Sequence, residues 1–267
     1  YTVVGATSDS LAALGFQKVG RDFPVYLHPK SHAEVALART ERKTQAGHQG
    51  FEVYADPSVN LETDLKRRDF TVNAMAISRD GRLVDPYNGQ KDLRNRILRH
   101  VSDAFSEDPL RVLRGVRLMA QLGRFGFTFA HDTRLLITTM ASQLTELSVE
   151  RMNDEIDKIL KAENPCIALN ELKQLTILAH VAPEVTDVPT QFQTASVEAR
   201  AIEWMSANDS TEGCLTGLCE RFKLSKQRTQ ILLSARHLMN IQSVTPEIAI
   251  KTMTYLGWLR GSKPSRY

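Results

Sequence analysis

An acidic pair, a proline and two arginines lie within eight residues, from Glu107 to Arg114. Proline in the first turn of a helix lacks only an amide that would be unpaired there, and Asp108 just before it is a natural N-cap. Arg111 follows Asp108 by three residues and lies on the same side of that turn. A carboxylate acceptor beside a forked donor could read the hydrogen-bonding edge of a nucleobase. The same residues also describe an ordinary capped helix with local ion pairs.

A second stretch, residues 67–74, contains two adjacent arginines, then Asp69 and Asn73, directly before an apolar run. An arginine guanidinium can grip phosphate through two parallel hydrogen bonds, and an aspartate can accept a hydrogen bond from a ribose hydroxyl. An exposed, salt-bridged helix end, with Asn73 capping the segment that follows, accounts equally for this spacing. The stretch could therefore contact the phosphates and ribose of a nucleotide, or it could be an exposed, salt-bridged helix end.

A third set of candidates begins at Glu34, which heads a strand whose alternate residues are apolar. A carboxylate there could bind Mg²⁺, a hard cation that takes oxygen ligands together with substrate phosphates. An edge-strand glutamate in solvent is the alternative. Arg39, Arg42 and Lys43 lie beside a polar, glycine-containing loop over residues 43–50. These cations could meet a triphosphate or an RNA backbone, or form a solvated basic turn.

A fourth stretch carries Glu150, Arg151 and Glu155 in the early turns of a helix that Ser148 can cap. Most helices of this kind are amphipathic structural elements. The spacing alone therefore assigns these three residues no chemistry.

The composition is that of an ordinary globular protein, with 267 residues of which 42% are hydrophobic and 24% charged. A net charge of +3 permits a nucleic-acid partner without demanding one. No apolar run approaches the ~18 residues of a membrane span. Three cysteines without a Cys-x-x-Cys pair favour reduced thiols in a cytoplasmic protein. His131-Asp132 is the only His-Asp dipeptide, so a metal-dependent phosphohydrolase centre is not expected.

Strand and helix patterns alternate up to about residue 100, and helical patterns dominate from residue 106 onward. The sequence therefore predicts an α+β fold, with a small mixed β-sheet followed by an all-α half. Residues 181–194, with Pro183 and Pro189, form the best internal linker. Helices are predicted over residues 108–122, 132–141, 148–162, 165–173, 195–207, 211–222, 226–240 and 246–256.

The order and spacing of these stretches resemble the class II CCA-adding tRNA nucleotidyltransferases, and in particular their bacterial branch. The resemblance is strong over residues 1 to about 185 and weak beyond. Bacterial poly(A) polymerases share parts of the same pattern. The stretches that carry it are residues 21–29, 36–43, 67–74, 85–89, 99–101 and 107–114, and Glu150-Arg151 with Glu155.

The resemblance implies a nucleotidyltransferase head over residues 1–101, a helical neck over 102–180 and a helical body and tail over 181–267. The neck would carry the residues that select the nucleotide, and the helical half would grip tRNA through its phosphates and shape. The loop over residues 43–50 would help to switch from C to A addition. The neck residues implied by the motif are Glu150, Arg151 and Glu155.

The resemblance also implies individual roles at the nucleotide. Arg68 and Asp69 would hold the ribose, with Asn73 in the same nucleotide-binding motif. Asp108 and Arg111 would pair with the base of CTP or ATP in place of a nucleic-acid template. One further arginine would lie beside that pocket, namely Arg114.

In this family an Asp-x-Asp pair, which binds two Mg²⁺ ions, precedes the strand that opens this chain. These catalytic carboxylates are therefore expected immediately before Tyr1. Glu34 matches an additional acidic residue near the metal site. The implied reaction joins CMP and AMP from CTP and ATP to the 3′ end of tRNA and releases pyrophosphate. Without the Asp-x-Asp pair, the 267 residues would keep nucleotide selection but lack catalysis.

Two other functions stay open at the level of sequence. A poly(A) polymerase would extend RNA with A and would need no CTP. A non-catalytic RNA-binding module would bind tRNA in a salt-dependent way without incorporating any nucleotide.

Overall fold

The β-structure of the chain is concentrated in its N-terminal unit, and the second unit consists mainly of helices. Unit one comprises residues 1–111 and 129–133, and unit two comprises residues 112–128 and 134–267. The computed structural model describes residues 1–19, 25–43, 51–194, 196–206, 212–242, 245–246 and 248–253.

Unit one opens with helix α1 (Ser8–Ala13) and a sheet of four strands, β1 (Thr2–Val3), β2 (Gln17–Lys18), β3 (Val25–Leu27) and β4 (Glu34–Leu37). The spatial order is β1-β4-β3-β2, with β1 parallel to β4 and the other pairs antiparallel. Val35 and Leu37 alternate inward along β4 and pack with Tyr26 and Leu11. This small core supports the sheet from one side.

The rest of unit one adds two hairpins and two short helices. Asn60 begins α2, because its side-chain oxygen accepts a 2.8 Å hydrogen bond from the Thr63 amide. A second core gathers the fully buried Phe70 and Phe105. The added elements are β5 (Thr40–Lys43), β6 (Phe51–Tyr54), α2 (Leu61–Lys66), β7 (Ala76–Ile77), β8 (Leu83–Val84), α3 (Gly89–Asn95), β9 (Ile97–Leu98) and β10 (Thr128–Phe129).

Most of the helices of the chain lie in unit two. Ser148 caps α6, because its hydroxyl accepts a hydrogen bond from the Arg151 amide. Arg200 closes the other end of that helix by donating to the Leu160 and Ala162 carbonyls at 2.6 and 2.7 Å. The helices are α4 (Leu110–Leu122), α5 (His131–Met140), α6 (Val149–Lys161), α7 (Pro165–Gln174), α8 (Leu178–Val181), α9 (Val197–Ser206), α10 (Glu212–Arg221) and α11 (Lys226–Gln242).

The predicted α+β class is confirmed: a small mixed sheet is followed by helices. Val181, the first residue of the predicted linker over residues 181–194, ends helix α8, and described residues 182–194 contain no helix or strand. The predicted loop over residues 43–50 lies outside the described residues except for Lys43, which ends β5. Within the described residues every helix is too short or too polar to cross a membrane.

Candidate functional site

The backbone of residues 69–71 is fixed by pairing with residues 99–101. The Thr71 amide donates to the Arg99 carbonyl at 2.9 Å, and the Val101 amide donates to the Asp69 carbonyl at 3.3 Å. Between them Phe70 forms an antiparallel bridge with His100. Asp69 is therefore held next to a fully buried aromatic ring, at a place that the chain cannot shift without exposing that ring.

The turn at residues 85–89 packs directly against this backbone. The Asp85 carboxylate accepts hydrogen bonds from the Gly89 amide at 2.6 Å and the Gln90 amide at 2.9 Å, which caps the start of α3. A Cβ on Gly89 would lie 2.2 Å from the Thr71 carbonyl oxygen and 2.8 Å from Met75 Cγ. Only glycine permits this close approach.

Gly89→Ala is accordingly expected to destabilise the protein by about 1–3 kcal/mol, because the added methyl group must displace backbone. Urea unfolding measures the loss. Gly217→Ala is the matched control, since the nearest side-chain atom to its added Cβ is 3.8 Å away and alanine favours its helix α10. An unchanged urea midpoint for Gly89→Ala would contradict the close approach.

A series of hydrogen bonds and ion pairs that begins at Thr71 also stabilises the segment at residues 69–71. The Thr71 hydroxyl donates to Asp92 at 2.8 Å, and the guanidinium of Arg99 joins Asp92 at 3.2 Å to Asp132 at 3.1 Å. Asp92 is buried, so its charge requires these partners. Asp132 thus takes part in an ion pair with Arg99 at the end of this chain of contacts.

Asp64 on α2 is the centre of the strongest ionic cluster of unit one. Its Oδ1 accepts from Arg67 Nη2 at 2.6 Å and from the Arg39 amide at 3.2 Å, and its Oδ2 accepts from Arg68 Nη2 at 3.2 Å. The Asp64 side chain is only 1% exposed. One buried carboxylate therefore organises both arginines of the stretch at residues 67–74.

Burial opposes ionisation of Asp64, but the charges and hydrogen bonds of Arg67 and Arg68 outweigh it and hold its pKa below the usual value. An unfolded aspartate takes up its proton at a pH of about 3.9. The stabilising effect of the Asp64 carboxylate is therefore present above that pH and disappears as the pH falls through the lower folded-state pKa.

The difference in unfolding free energy between wild type and Asp64→Asn is expected to be largest at neutral pH and to shrink below about pH 4. Urea unfolding at pH 7 and at pH 3 tests this. A difference that stays constant over this range would mean that the charge of Asp64 contributes nothing to stability.

Arg111 is enclosed at the start of α4. Its side chain is 7% exposed, and its Nε lies 3.5 Å from Asp69 Oδ1. Its Nη1 is buried and has no hydrogen-bond partner among the described residues. Asp108 behaves as the predicted N-cap, because its Oδ1 accepts from the Leu110 amide at 3.0 Å. The structure thus brings Asp69, Asp108 and Arg111 together in unit one.

A cleft of about 1000 Å³ borders the four-stranded sheet. Its described lining residues include Glu34, Thr2 and Arg68, and Glu34 is the only acidic residue among those described. Magnesium ordinarily takes several oxygen ligands in near-octahedral geometry. No cluster of three or more His, Cys, Asp or Glu side chains suited to a metal occurs within the described part of the chain. Glu34 alone supplies fewer oxygen ligands than magnesium ordinarily takes, and its place beside a metal stays a prediction.

The other candidates of unit one are more dispersed. Arg39 is half-buried between β4 and β5, and its carbonyl accepts from Arg67 Nε at 3.1 Å. Asn73 is exposed at the end of a short 3₁₀ turn. The backbones of Arg42 and Lys43 lie in β5, while their side chains are outside the described part of the chain.

The neck candidates in unit two differ among themselves. Glu155 is buried and pairs with Arg117 of α4 at 2.8 Å and with Lys158 at 2.9 Å. Arg117 therefore supports helix packing, although it continues the three-residue spacing that begins at Arg111. Arg114 and Glu150 are exposed, and Arg151 is half-buried.

Sequence reasoning missed Asp64 and Asp92 as organisers of the site. A signal existed for Asp64, which precedes Arg67 and Arg68 by three and four residues, the spacing at which side chains meet on a helix. Its contact with Arg39, 25 residues away, had no such signal. Asp92 belongs to α3, a helix that the pattern of the sequence did not predict.

Two family models match the chain. The model described as the poly A polymerase head domain matches residues 16–99, and the one described as the probable RNA and SrmB-binding site of polymerase A matches residues 126–188. The two matches together span more than half of the chain. The first contains the residue 67–74 stretch, Asp64 and Glu34.

Solved structures of CCA-adding enzymes share the fold. An apo form is 20% identical with a TM-score of 0.67, and the alignment covers 92% of this chain and 67% of that one. The Bacillus stearothermophilus enzyme in complex with CTP is 25% identical with a TM-score of 0.60, covering 94% of this chain and 59% of that one. A CCA-adding enzyme with ATP is 19% identical with a TM-score of 0.66, covering 97% and 71%.

Proposed function

Because this chain belongs to the poly(A) polymerase family of nucleotidyltransferases, we propose that it adds CCA to the 3′ ends of tRNA from CTP and ATP. The terminal ribose hydroxyl of tRNA would attack the α-phosphate of the nucleotide. A phosphodiester bond forms, the bond between the α- and β-phosphates breaks, and pyrophosphate leaves. The solved relatives that bind CTP and ATP support this substrate pair.

The observation that carries the proposal is the enclosed guanidinium of Arg111. A buried donor without a partner is costly unless a ligand satisfies it. Arg111 Nη1 is such a donor among the described residues, and Asp69 lies 3.5 Å from the same guanidinium. An acceptor on a pyrimidine or purine edge would satisfy the free N–H, which is the chemistry of base selection by a protein side chain.

The remaining contacts would be divided along the nucleotide. Arg68 and Asp69 would hold the ribose, and Asn73 would belong to the same site. Asp108 would join Arg111 in pairing with the base. Farther residues would contact the base pocket, the phosphates or the RNA, namely Arg114, Arg39, Arg42, Lys43, Glu150, Arg151 and Glu155.

The use of magnesium in the proposed reaction is implied by the family resemblance alone. Among the described residues Glu34 is the only acid that lines the cleft, and it supplies too few ligands by itself. No step of the proposed reaction is therefore derived through the metal.

The helical unit would bind the acceptor arm of tRNA. Residues 126–188, which match the RNA-binding model, contain the whole of α5 to α8. A cytoplasmic location would suit a tRNA substrate and the free thiols of Cys166 and Cys219, since burial raises the pKa of both thiols and leaves them unreactive.

Incubating the complete gene product with tRNA that lacks CCA and with each nucleoside triphosphate tests the function. Addition of two C residues followed by one A is the expected result. Long A tails formed without CTP would instead identify a poly(A) polymerase. Salt-dependent tRNA binding without any incorporation would identify a non-catalytic RNA-binding module.

A further inference from the structure

We propose that Asp64 is a positioning residue. It orients Arg68, which lines the cleft beside the four-stranded sheet, and it links Arg68 to the root of the β5–β6 hairpin. The inference rests on the proposed function, because it concerns how Arg68 meets the incoming nucleotide. Asp64 does not line the cleft itself. It would act on the nucleotide only through the arginine that does.

The two carboxylate oxygens of Asp64 accept hydrogen bonds from different partners. Oδ2 accepts from Arg68 Nη2 at 3.2 Å, which holds the guanidinium that borders the cleft. The same Nη2 reaches Thr2 Oγ1 only at 3.5 Å. Arg68 Nε is buried and has no partner among the described residues, so the Asp64 contact provides the main orientation of this side chain.

Oδ1 of Asp64 faces the hairpin root. It accepts from the Arg39 amide at 3.2 Å, while Arg67 Nε donates to the Arg39 carbonyl at 3.1 Å. Arg67 also donates to Oδ1 from its Nη2 at 2.6 Å. Asp64 and Arg67 thus clamp both backbone polar groups of the residue that precedes Thr40, where β5 begins.

A purely structural role explains this arrangement less well. A buried ion pair adds little stability compared with well-packed apolar side chains, because desolvation offsets the attraction of the charges. Two arginines and one backbone amide converge on a side chain that is 1% exposed. What such a cluster provides is a defined direction for each guanidinium, and the one that reaches the cleft belongs to Arg68.

The substitution Asp64→Asn separates the two sets of contacts. Its single amide oxygen can still accept from Arg39 and Arg67, which present the larger number of donors. The amide NH₂ then faces Arg68, where two donors repel each other. Arg68 should lose its orientation while the clamp on Arg39 persists.

Asp64→Asn is expected to raise KM for CTP and for ATP by about tenfold or more, the scale of a lost charge-assisted hydrogen bond. Both nucleotides should be affected equally because they share the ribose and phosphates. The KM for tRNA and the preference for C and A over U and G should not change. Equilibrium binding of CTP and ATP to the same protein provides a second readout.

A double-mutant cycle with Arg68→Ala decides whether Asp64 acts through Arg68. The effect of Asp64→Asn on nucleotide KM and Kd should largely disappear in the Arg68→Ala background. Asp92→Asn is the matched control, because it also removes a buried carboxylate from an ion pair, but that carboxylate contacts Arg99 and Thr71 instead of Arg68. Its effect should add to that of Arg68→Ala.

Additive effects of Asp64→Asn and Arg68→Ala would overturn the positioning role. If Asp64→Asn does not fold, Asp64→Glu replaces it in the cycle, since the longer side chain keeps the charge but displaces the guanidinium. If wild type binds CTP and ATP without incorporating them, the proposed function fails and the cycle measured on Kd still decides about Asp64. If wild type binds neither nucleotide, the role of Asp64 is overturned as well.

Discussion

Replacing Arg111 with alanine should remove most of the preference for CTP and ATP over UTP and GTP. The enclosed guanidinium offers a forked donor that no other residue at the start of α4 supplies. A good bidentate pair with a base discriminates by about 1–3 kcal/mol, so the ratio of kcat/KM values should fall by roughly 5- to 150-fold. Single-nucleotide incorporation on tRNA lacking CCA, with each triphosphate in turn, measures the ratio.

Two further variants sharpen that experiment. Arg111→Lys keeps a positive charge near Asp69 but loses the planar fork, so it should lose base preference with a smaller loss of stability. Arg124→Ala is the control, because Arg124 is an exposed arginine that pairs with Glu163 in unit two. An Arg111→Ala protein with an unaltered preference for C and A would contradict the role of Arg111 in base selection.

Most of the described helices of unit two were predictable because their signals are local, whereas the short helix α8 was not predicted. Ser148 precedes α6 and caps it as expected, and the helix ends within one residue of the predicted boundary. Helix α4 likewise ends at the predicted residue and begins two residues later. Amphipathic spacing and caps act over a few residues, and a single sequence contains that information.

The missed elements depend on contacts between distant residues. The hairpin of β5 and β6 begins with the polar residues 40–43, whose alternation does not suggest a strand. Helix α3 begins at Gly89, a poor helix former, because Asp85 caps it and Thr71 packs against it. The Asp85 cap is local, but the packing of Thr71 against Gly89 joins distant residues and is not visible in the local pattern.

The same limit applies to the candidate site. The sequence indicates which residues could act there, but not which distant residues they contact. Sequence order singled out Asp69, Asp108 and Arg111, and the structure places them together. The spacing of four residues pointed to a contact between Asp64 and Arg68, but the sequence did not indicate that Asp64 also contacts Arg39, 25 positions before it. Their convergence is a property of the folded unit, where α2 meets the end of β4.

Phe70→Ala should cause the largest loss of stability among the substitutions considered. Phe70 is fully buried, meets Phe105 edge-on at a centroid distance of 5.4 Å and packs on Phe129 at 6.3 Å. Removing a buried phenylalanine side chain costs about 3–5 kcal/mol through lost burial and the cavity that remains. Urea unfolding measures the loss, and Phe70→Leu, which fills part of the cavity, should fall between alanine and wild type.

Phe70→Ala also tests whether the buried core holds Asp69 in position. Phe70 lies between Asp69 and Thr71, and its bridge with His100 fixes the Asp69 backbone. Folded Phe70→Ala should therefore bind CTP and ATP more weakly than wild type, even at temperatures where it remains native. Phe125→Ala is the control, since that ring is 51% exposed and contacts the Arg124 guanidinium, an interaction of at most about 1 kcal/mol at an exposed site. Equal urea midpoints for the two alanine variants would refute the anchoring role of Phe70, because burial is the property that separates them.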